Sequence, residues 1–198
     1  PNPPTAVTEE WNGSSWSETG DLNTSRESLS ASQNGTAEAC IVFGGNTATA
    51  VTAVAETFNG TSWTEVGDMN TARKKSGGFG TATSAIVAGG SADTAVNNVE
   101  SWNGNSWTEI AESGAKDNLG ASGASGTSGL IFGGTGFIAL TQEWNGTSWT
   151  EVADLATGRD QLGGTGQSAL TALAFGGRNN GGALVNVEEW TVSQTGTN

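Results

Sequence analysis

The chain contains no histidine, no tyrosine and only three prolines. Without histidine there is no His-bound zinc and no His-based catalytic triad, and no metal or cofactor is expected. The single cysteine, Cys40, leaves no internal disulfide. Within Ala39-Cys40-Ile41-Val42-Phe43 it reads as a small buried apolar residue. Cations are scarce: seven Lys and Arg stand against twenty Asp and Glu, a net charge of -13. Phosphate backbones are bound through Lys and Arg, so nucleic acid is a poor partner, and anionic membranes are disfavoured for the same reason. A strongly negative surface does suit solubility outside a cell. No apolar run reaches the length of a membrane span, and no secretory signal is recognisable. Pro1-Asn2-Pro3-Pro4 reads as a stiff, extended lead-in over residues 1–4.

Glycine and tryptophan are plentiful, at 31 and 8 residues. The chain is organised around one phrase, Glu143-Trp144-Asn145-Gly146-Thr147-Ser148-Trp149-Thr150-Glu151-Val152. Copies run from Glu10 to Glu18, Thr57 to Val66 and Ser101 to Ile110, and Glu189-Trp190 begins a fifth. The first aromatics, Trp11, Phe58, Trp102, Trp144 and Trp190, are 47, 44, 42 and 46 residues apart. Such a period marks a repeat architecture with one supersecondary unit per repeat. The long patterns of period 3.6 that a helical repeat needs are missing.

Each repeat reads as four short strands. The first is small and Gly-rich, as in Ser76-Gly77-Gly78-Phe79-Gly80-Thr81. The second is an apolar run ending in two glycines: Gly44-Gly45, Gly89-Gly90, Gly133-Gly134 and Gly176-Gly177. Unbroken apolar strands imply burial on both faces. The third strand leads into the first aromatic. The fourth begins at the second aromatic, Trp16, Trp63, Trp107 or Trp149, after an Asn-Gly hairpin turn. Four-stranded sheets buried on both faces, repeating at this period, form a β-propeller. The expected fold is all-β, a β-propeller of four blades of four antiparallel strands, as a single domain over 5–198. Its repeats lie at about 26–69, 73–112, 116–155 and 159–191, with an N-terminal strand at 15–21. That strand has no inner strands before it, and the last blade has no fourth strand after it. The expected closure therefore pairs the N- and C-terminal strands. Thr5 to Trp11 and Leu184 to Trp190 then compete for one third-strand position.

The double glycine, the aromatic 10–13 residues later and the Trp five residues beyond that resemble the kelch repeat, over essentially the whole chain. Trp or Phe stands where kelch repeats usually have Tyr, and kelch rings usually have six or seven blades. Some kelch propellers are copper radical oxidases that use Tyr and His; this chain has neither. The wording of the phrase, with Asn70-Thr71-Ala72-Arg73, also resembles kelch-like arrays in virion and tail-associated proteins of bacteriophages.

Candidate chemistry is sparse. Glu9-Glu10 and Glu188-Glu189 are adjacent strand residues and should point to opposite faces. Glu18, Glu65, Glu109 and Glu151 recur once per blade, which suits structure better than catalysis. Arg26, Arg73, Lys116 and Arg159 recur at gaps of 47, 43 and 43, each just after an acidic residue (Asp21, Asp68, Glu112, Asp154). The expectation is a salt bridge stitching one blade to the next; the sharper alternative is a ring of cations binding an anion at the axis mouth. Lys74-Lys75 reads as a solvated patch. Several Asn-Gly-Ser/Thr turns match the glycosylation pattern as a by-product of the turn. The loops after the double glycines vary most, and such loops are where binding specificity sits on a repeated scaffold. They contain Asn46, Phe137, Arg178, Asn179 and Asn180.

The functional expectation is a non-enzymatic, extracellular structural or binding propeller. The phage resemblance implies a virion component (fibre, tail appendage or capsid decoration) whose partner is host-surface glycan or another virion protein. Self-assembly through the spare terminal strand is a further expectation. A secreted adhesin or lectin of the same fold is the alternative; a carboxylate-based polysaccharide hydrolase or lyase ranks behind both.

Overall fold

The computed structural model describes residues 3–114 and 117–192. Pro1, Asn2 and Lys116, among the residues singled out above, lie outside that range. The fold is all-β. An N-terminal hairpin, β1 (Glu9–Trp11) and β2 (Trp16–Glu18), comes first. Sheet I follows, with β3 (Ser30–Ala31), β4 (Cys40–Phe43), β5 (Ala55–Phe58) and β6 (Trp63–Glu65). Sheet II holds β7 (Gly77–Thr81), β8 (Ser84–Ala88), β9 (Val99–Trp102) and β10 (Trp107–Ile110). Sheet III holds β11 (Gly120–Ser125), β12 (Ser128–Phe132), β13 (Thr141–Trp144) and β14 (Trp149–Glu151). Sheet IV has three strands, β15 (Gly163–Ser168), β16 (Thr171–Phe175) and, after a small ribbon of β17 (Arg178–Asn179) and β18 (Gly182–Ala183), β19 (Val187–Thr191). Within each sheet the strands are antiparallel and in chain order.

The hairpin between third and fourth strands is built the same way each time. The Asn side-chain oxygen accepts the next two turn N–H groups: Thr61 and Ser62 on Asn59, Asn105 and Ser106 on Asn103, Thr147 and Ser148 on Asn145. The following Gly takes a positive φ, near 90° at Gly60, Gly104 and Gly146, which glycine adopts without a Cβ clash. The turn sets the register that places Phe58 opposite Trp63, Trp102 opposite Trp107 and Trp144 opposite Trp149.

Successive sheets stack face to face, each burying the leading face of one against the trailing face of the next. Ile41, Phe43 and Ala55 of sheet I meet Ala85, Val87, Trp102 and Trp107 of sheet II. The Phe43 ring meets Trp107 edge-on, with centroids 5.1 Å apart. Sheets II and III join through Ile86, Ala88 and Val99 against Ala121, Ile131 and Trp144. Leu130 and Phe132 of sheet III pack against Ala172 and Ala174 of sheet IV. The arrangement is propeller-like, with the small first strands innermost.

Two expectations fail at the ends. The strand at 15–21 does not complete sheet IV: β2 pairs with β1, and β19 pairs with β16 alone. Among the described residues no hydrogen bond joins sheet IV to sheet I or to the N-terminal hairpin. The hairpin instead repeats the outer half of an internal unit. Thr19, Leu22 and Arg26 N–H donate to Thr8, Ala6 and Thr5, just as Val66, Met69 and Arg73 donate to Ala55, Ala53 and Thr52. The local ladder from strand to link holds it there, and the same three rungs recur from Val152, Leu155 and Arg159 N–H to Thr141, Ala139 and Ile138. The second failure concerns burial. The strands β4, β8 and β12 are buried on both faces over most of their length, but β16 alternates between buried and exposed, because among the described residues no further sheet covers its leading face.

Candidate functional site

The recurring arginines are structural, but not with the partners expected. Arg26 and Arg73 are fully buried, and each pairs with a buried third-strand glutamate, Glu56 or Glu100, at 2.7 Å. Arg159 pairs likewise with Glu188. Each guanidinium also donates to two backbone carbonyls of the sheet it clamps: Arg73 to Gly89 and Asn98, Arg26 to Gly44 and Val54. The carboxylate takes the remaining donors of the link. Glu100 accepts from Asn70 N–H at 2.6 Å, the Asn70 side chain at 2.9 Å and Thr71 N–H at 3.1 Å. Burial pushes the Arg26 and Arg73 pKa values down, and the facing glutamates pull them back up. Arginine stays charged in such a setting. The expected partners serve elsewhere: Asp154 accepts from Thr141 N–H and Glu112 from the Asn97 side chain. The described arginines of this series therefore form no cation ring open to an anion. Sheet III differs, with Gln142 at the glutamate position accepting from Gly114 N–H.

Just past each arginine the chain turns inward, and this gives the molecule its most distinctive surface. Ser28, Lys75, Asn118 and Gln161 all have left-handed backbones, with φ of 55°, 57°, 59° and 54°. For residues other than glycine this costs on the order of 1–2 kcal/mol each. The backbone bonds made there explain it. Lys75 N–H donates to Ser28 O at 2.9 Å, Asn118 N–H to Lys75 O at 2.8 Å, and Gln161 N–H to Asn118 O at 3.0 Å. One main-chain bond thus links each unit to the next around the axis. The four residues share the rim of a cavity of about 370 Å³, with Leu29, Ser76 and Leu119 beneath them. A second cavity of about 290 Å³, walled by the first strands, continues from the same three residues.

The variable loops meet this rim. Asn46 and Glu27 exchange backbone bonds, as do Ser91 with Lys74 and Arg178 with Asp160; Thr135 N–H donates to Asp117 O. The structure therefore brings Asn46 and Arg178 to residues adjoining the axial ladder. Arg178 caps Asp160 with Nε–Oδ1 at 2.9 Å while half its side chain faces solvent. Asn179 ends β17 and Asn180 and Gly181 form the turn to β18, where the Asn179 side chain accepts Gly181 N–H. Phe137 is half-buried with φ of 56°, at the loop after Gly133-Gly134. The rim positions themselves carry no sequence signal, since Ser, Lys and Gln do not favour positive φ.

The remaining candidates stay apart from this face. Glu18, Glu65, Glu109 and Glu151 lie exposed, each on the last strand of a different unit. Cys40 is half-buried rather than enclosed, and its burial pushes the thiol pKa up. Trp102, Trp107 and Trp144 are buried between sheets as expected, whereas Trp11 and Trp16 of the N-terminal hairpin are exposed. Compared with known protein families and with curated proteins, the chain matches none.

Proposed function

We propose that the protein is a non-enzymatic, extracellular structural and binding module, a kelch-like propeller of four units. In this reading it serves on a phage particle as fibre, tail appendage or capsid decoration. Its ligand is host-surface glycan or another virion protein, held at the axial rim.

The rim is the observation that carries the reading. Four units present unlike polar side chains, Ser28, Lys75, Asn118 and Gln161, on one repeated backbone around one cavity. A catalytic centre needs unlike groups converging on a reacting atom; a recognition face needs a rigid frame carrying varied donors and acceptors. Hydroxyl, amide and ammonium groups above a floor of Leu29 and Leu119 suit the hydroxyls and apolar faces of a sugar ring. The strongly acidic chain places Lys75 at this face, which favours a glycan bearing some carboxylate.

Binding to a panel of bacterial surface polysaccharides tests the reading. Lys75→Ala with Asn118→Ala and Gln161→Ala should reduce binding at least ten-fold and leave the melting temperature nearly unchanged. Binding that survives the triple substitution refutes the rim as the site. Polysaccharide turnover lost on Glu→Gln substitution refutes the non-enzymatic reading.

A further inference from the structure

Sheet IV and the N-terminal hairpin each carry part of the strand set that an internal unit has. We infer that the hairpin of a second copy of this chain replaces β19 and completes sheet IV, joining copies head to tail.

Three features of sheet IV show an interface left unfilled. Its leading face carries Leu173, Phe175 and Val187 at 39%, 41% and 61% exposure, while the equivalent residues of sheets I to III are buried. Among the described residues its outer edge has no fourth strand. The first glycine of its pair, Gly176, is open. In sheets I and III the second glycine N–H donates to the next arginine carbonyl, Gly45 to Arg73 at 2.8 Å and Gly134 to Arg159 at 2.9 Å. At Gly176 the nearest atom to a would-be Cβ is Leu184 O, 3.9 Å away, and among the described residues no arginine carbonyl reaches Gly177.

Residues 5–26 supply each missing part. The strand β1 carries Glu9-Glu10-Trp11 where β19 carries Glu188-Glu189-Trp190, so Glu9 stands where Glu188 meets Arg159. Among the described residues Glu9 has no cationic partner, and the inner edge of β1 pairs with nothing. The strand β2 brings the fourth strand, with Trp16 against Trp11 at 5.5 Å. Arg26 brings the backbone carbonyl for the glycine slot. Behind the hairpin, against Cys40, Phe58 and Trp63, lies an apolar cavity of about 230 Å³. The strands β15 and β16 are an inner pair with an uncovered leading face.

The partner is a second copy rather than the same chain. Among the described residues no hydrogen bond joins the two ends of one chain, and the hairpin is held on its own sheet I, where Trp63 Nε1–H donates to Thr8 Oγ1 at 3.0 Å. A second copy needs only β19 to leave, and β1 returns the same Glu-Glu-Trp contacts. The contact is heterologous, with different surfaces on the two partners, so it can propagate.

Light scattering of the full chain over a range of concentrations tests the inference, alongside two variants. Asn12 N–H faces β2, so by strand alternation Glu10 N–H does too, and Glu9 N–H faces the open edge. Glu9→Pro therefore blocks the new pairing and leaves the hairpin intact. Leu173→Glu charges the leading face. The wild-type mass should rise to at least twice that of one chain, and both variants should stay at one. If Leu173→Glu fails to fold, Glu9→Pro decides alone. A single-chain mass at every concentration, or association untouched by Glu9→Pro, overturns the inference. So does a single-chain wild type whose Glu9 amide is protected from hydrogen exchange, which indicates closure within the chain.

Discussion

Removing the carboxylate of Glu100 is the sharpest test of the buried clamp. Glu100 and Arg73 are both inaccessible to solvent, and the carboxylate accepts four hydrogen bonds from Asn70, Thr71 and Arg73. Glu100→Ala leaves the guanidinium charged, buried and short of its partner, a loss of about 3–5 kcal/mol. Glu100→Gln keeps the shape and one acceptor, so its cost should be nearer ~2 kcal/mol. In a chain of this length each kcal/mol lowers the melting temperature by about 2–4 °C. Glu100→Ala should thus melt at least 6 °C lower, by a rough conversion. Tryptophan fluorescence in urea reads the change directly, because Trp102 and Trp107 lie in the same sheet. Glu109→Gln, on the exposed strand beside it, should stay within ~0.5 kcal/mol. Replacing both partners, Glu100→Leu with Arg73→Met, should recover much of the loss, since an apolar pair removes the stranded charge. A loss below ~1 kcal/mol for Glu100→Ala would refute the clamp as a source of stability.

Two further comparisons use the repeat as its own control. Gly44 and Gly176 share a left-handed φ, 66° and 64°. Gly44→Ala, however, drives a Cβ into the Arg73 carbonyl, whereas Gly176→Ala meets open space. Gly176→Ala should cost about 1–2 kcal/mol from φ alone, and Gly44→Ala clearly more; equal costs in urea unfolding would contradict the slot. Trp102→Ala, fully buried between sheets I and II, should cost about 3–5 kcal/mol. Trp16→Ala, with 64% of the residue exposed, should cost under about 1 kcal/mol in the isolated chain. The reverse order in thermal melts would mean that the hairpin is buried in solution.

The strand plan was readable because it rests on local rules. Asn59-Gly60 specifies a hairpin whatever surrounds it, and Ile41-Val42-Phe43 before Gly44-Gly45 specifies a buried strand with a close approach after it. The arginine column was visible as well, but its partner was misjudged. Glu56 lies 30 residues beyond Arg26, past two strands, while Asp21 is nearby in the chain and draws the eye. The column Glu56, Glu100, Gln142 and Glu188, with Lys116 replacing Arg in the unit that has Gln, was the available signal. The left-handed rim was unreadable, because the neighbouring unit imposes it on residues that do not favour it. Closure was misjudged for a related reason. Two equivalent third strands compete for one place, and strand chemistry alone gives both the same claim.

In the proposed binding role, the axial ladder separates the groups that would meet a ligand from the main-chain bonds that join the units. Ser28, Lys75, Asn118 and Gln161 hold the same φ within 5°, and main-chain bonds link them. Asn118 adds side-chain bonds to Asp117 and Thr135 at 3.1 and 2.9 Å, whereas the ladder itself uses no side chain. A substitution at any of the four can alter charge, reach or hydrogen-bonding capacity while leaving the bond pattern intact. Residues that keep the N–H and tolerate the left-handed backbone can vary here on one scaffold, since the repeats fold by their own neighbour contacts. In the proposed binding role, a changing ligand would be followed through this rim one mutation at a time.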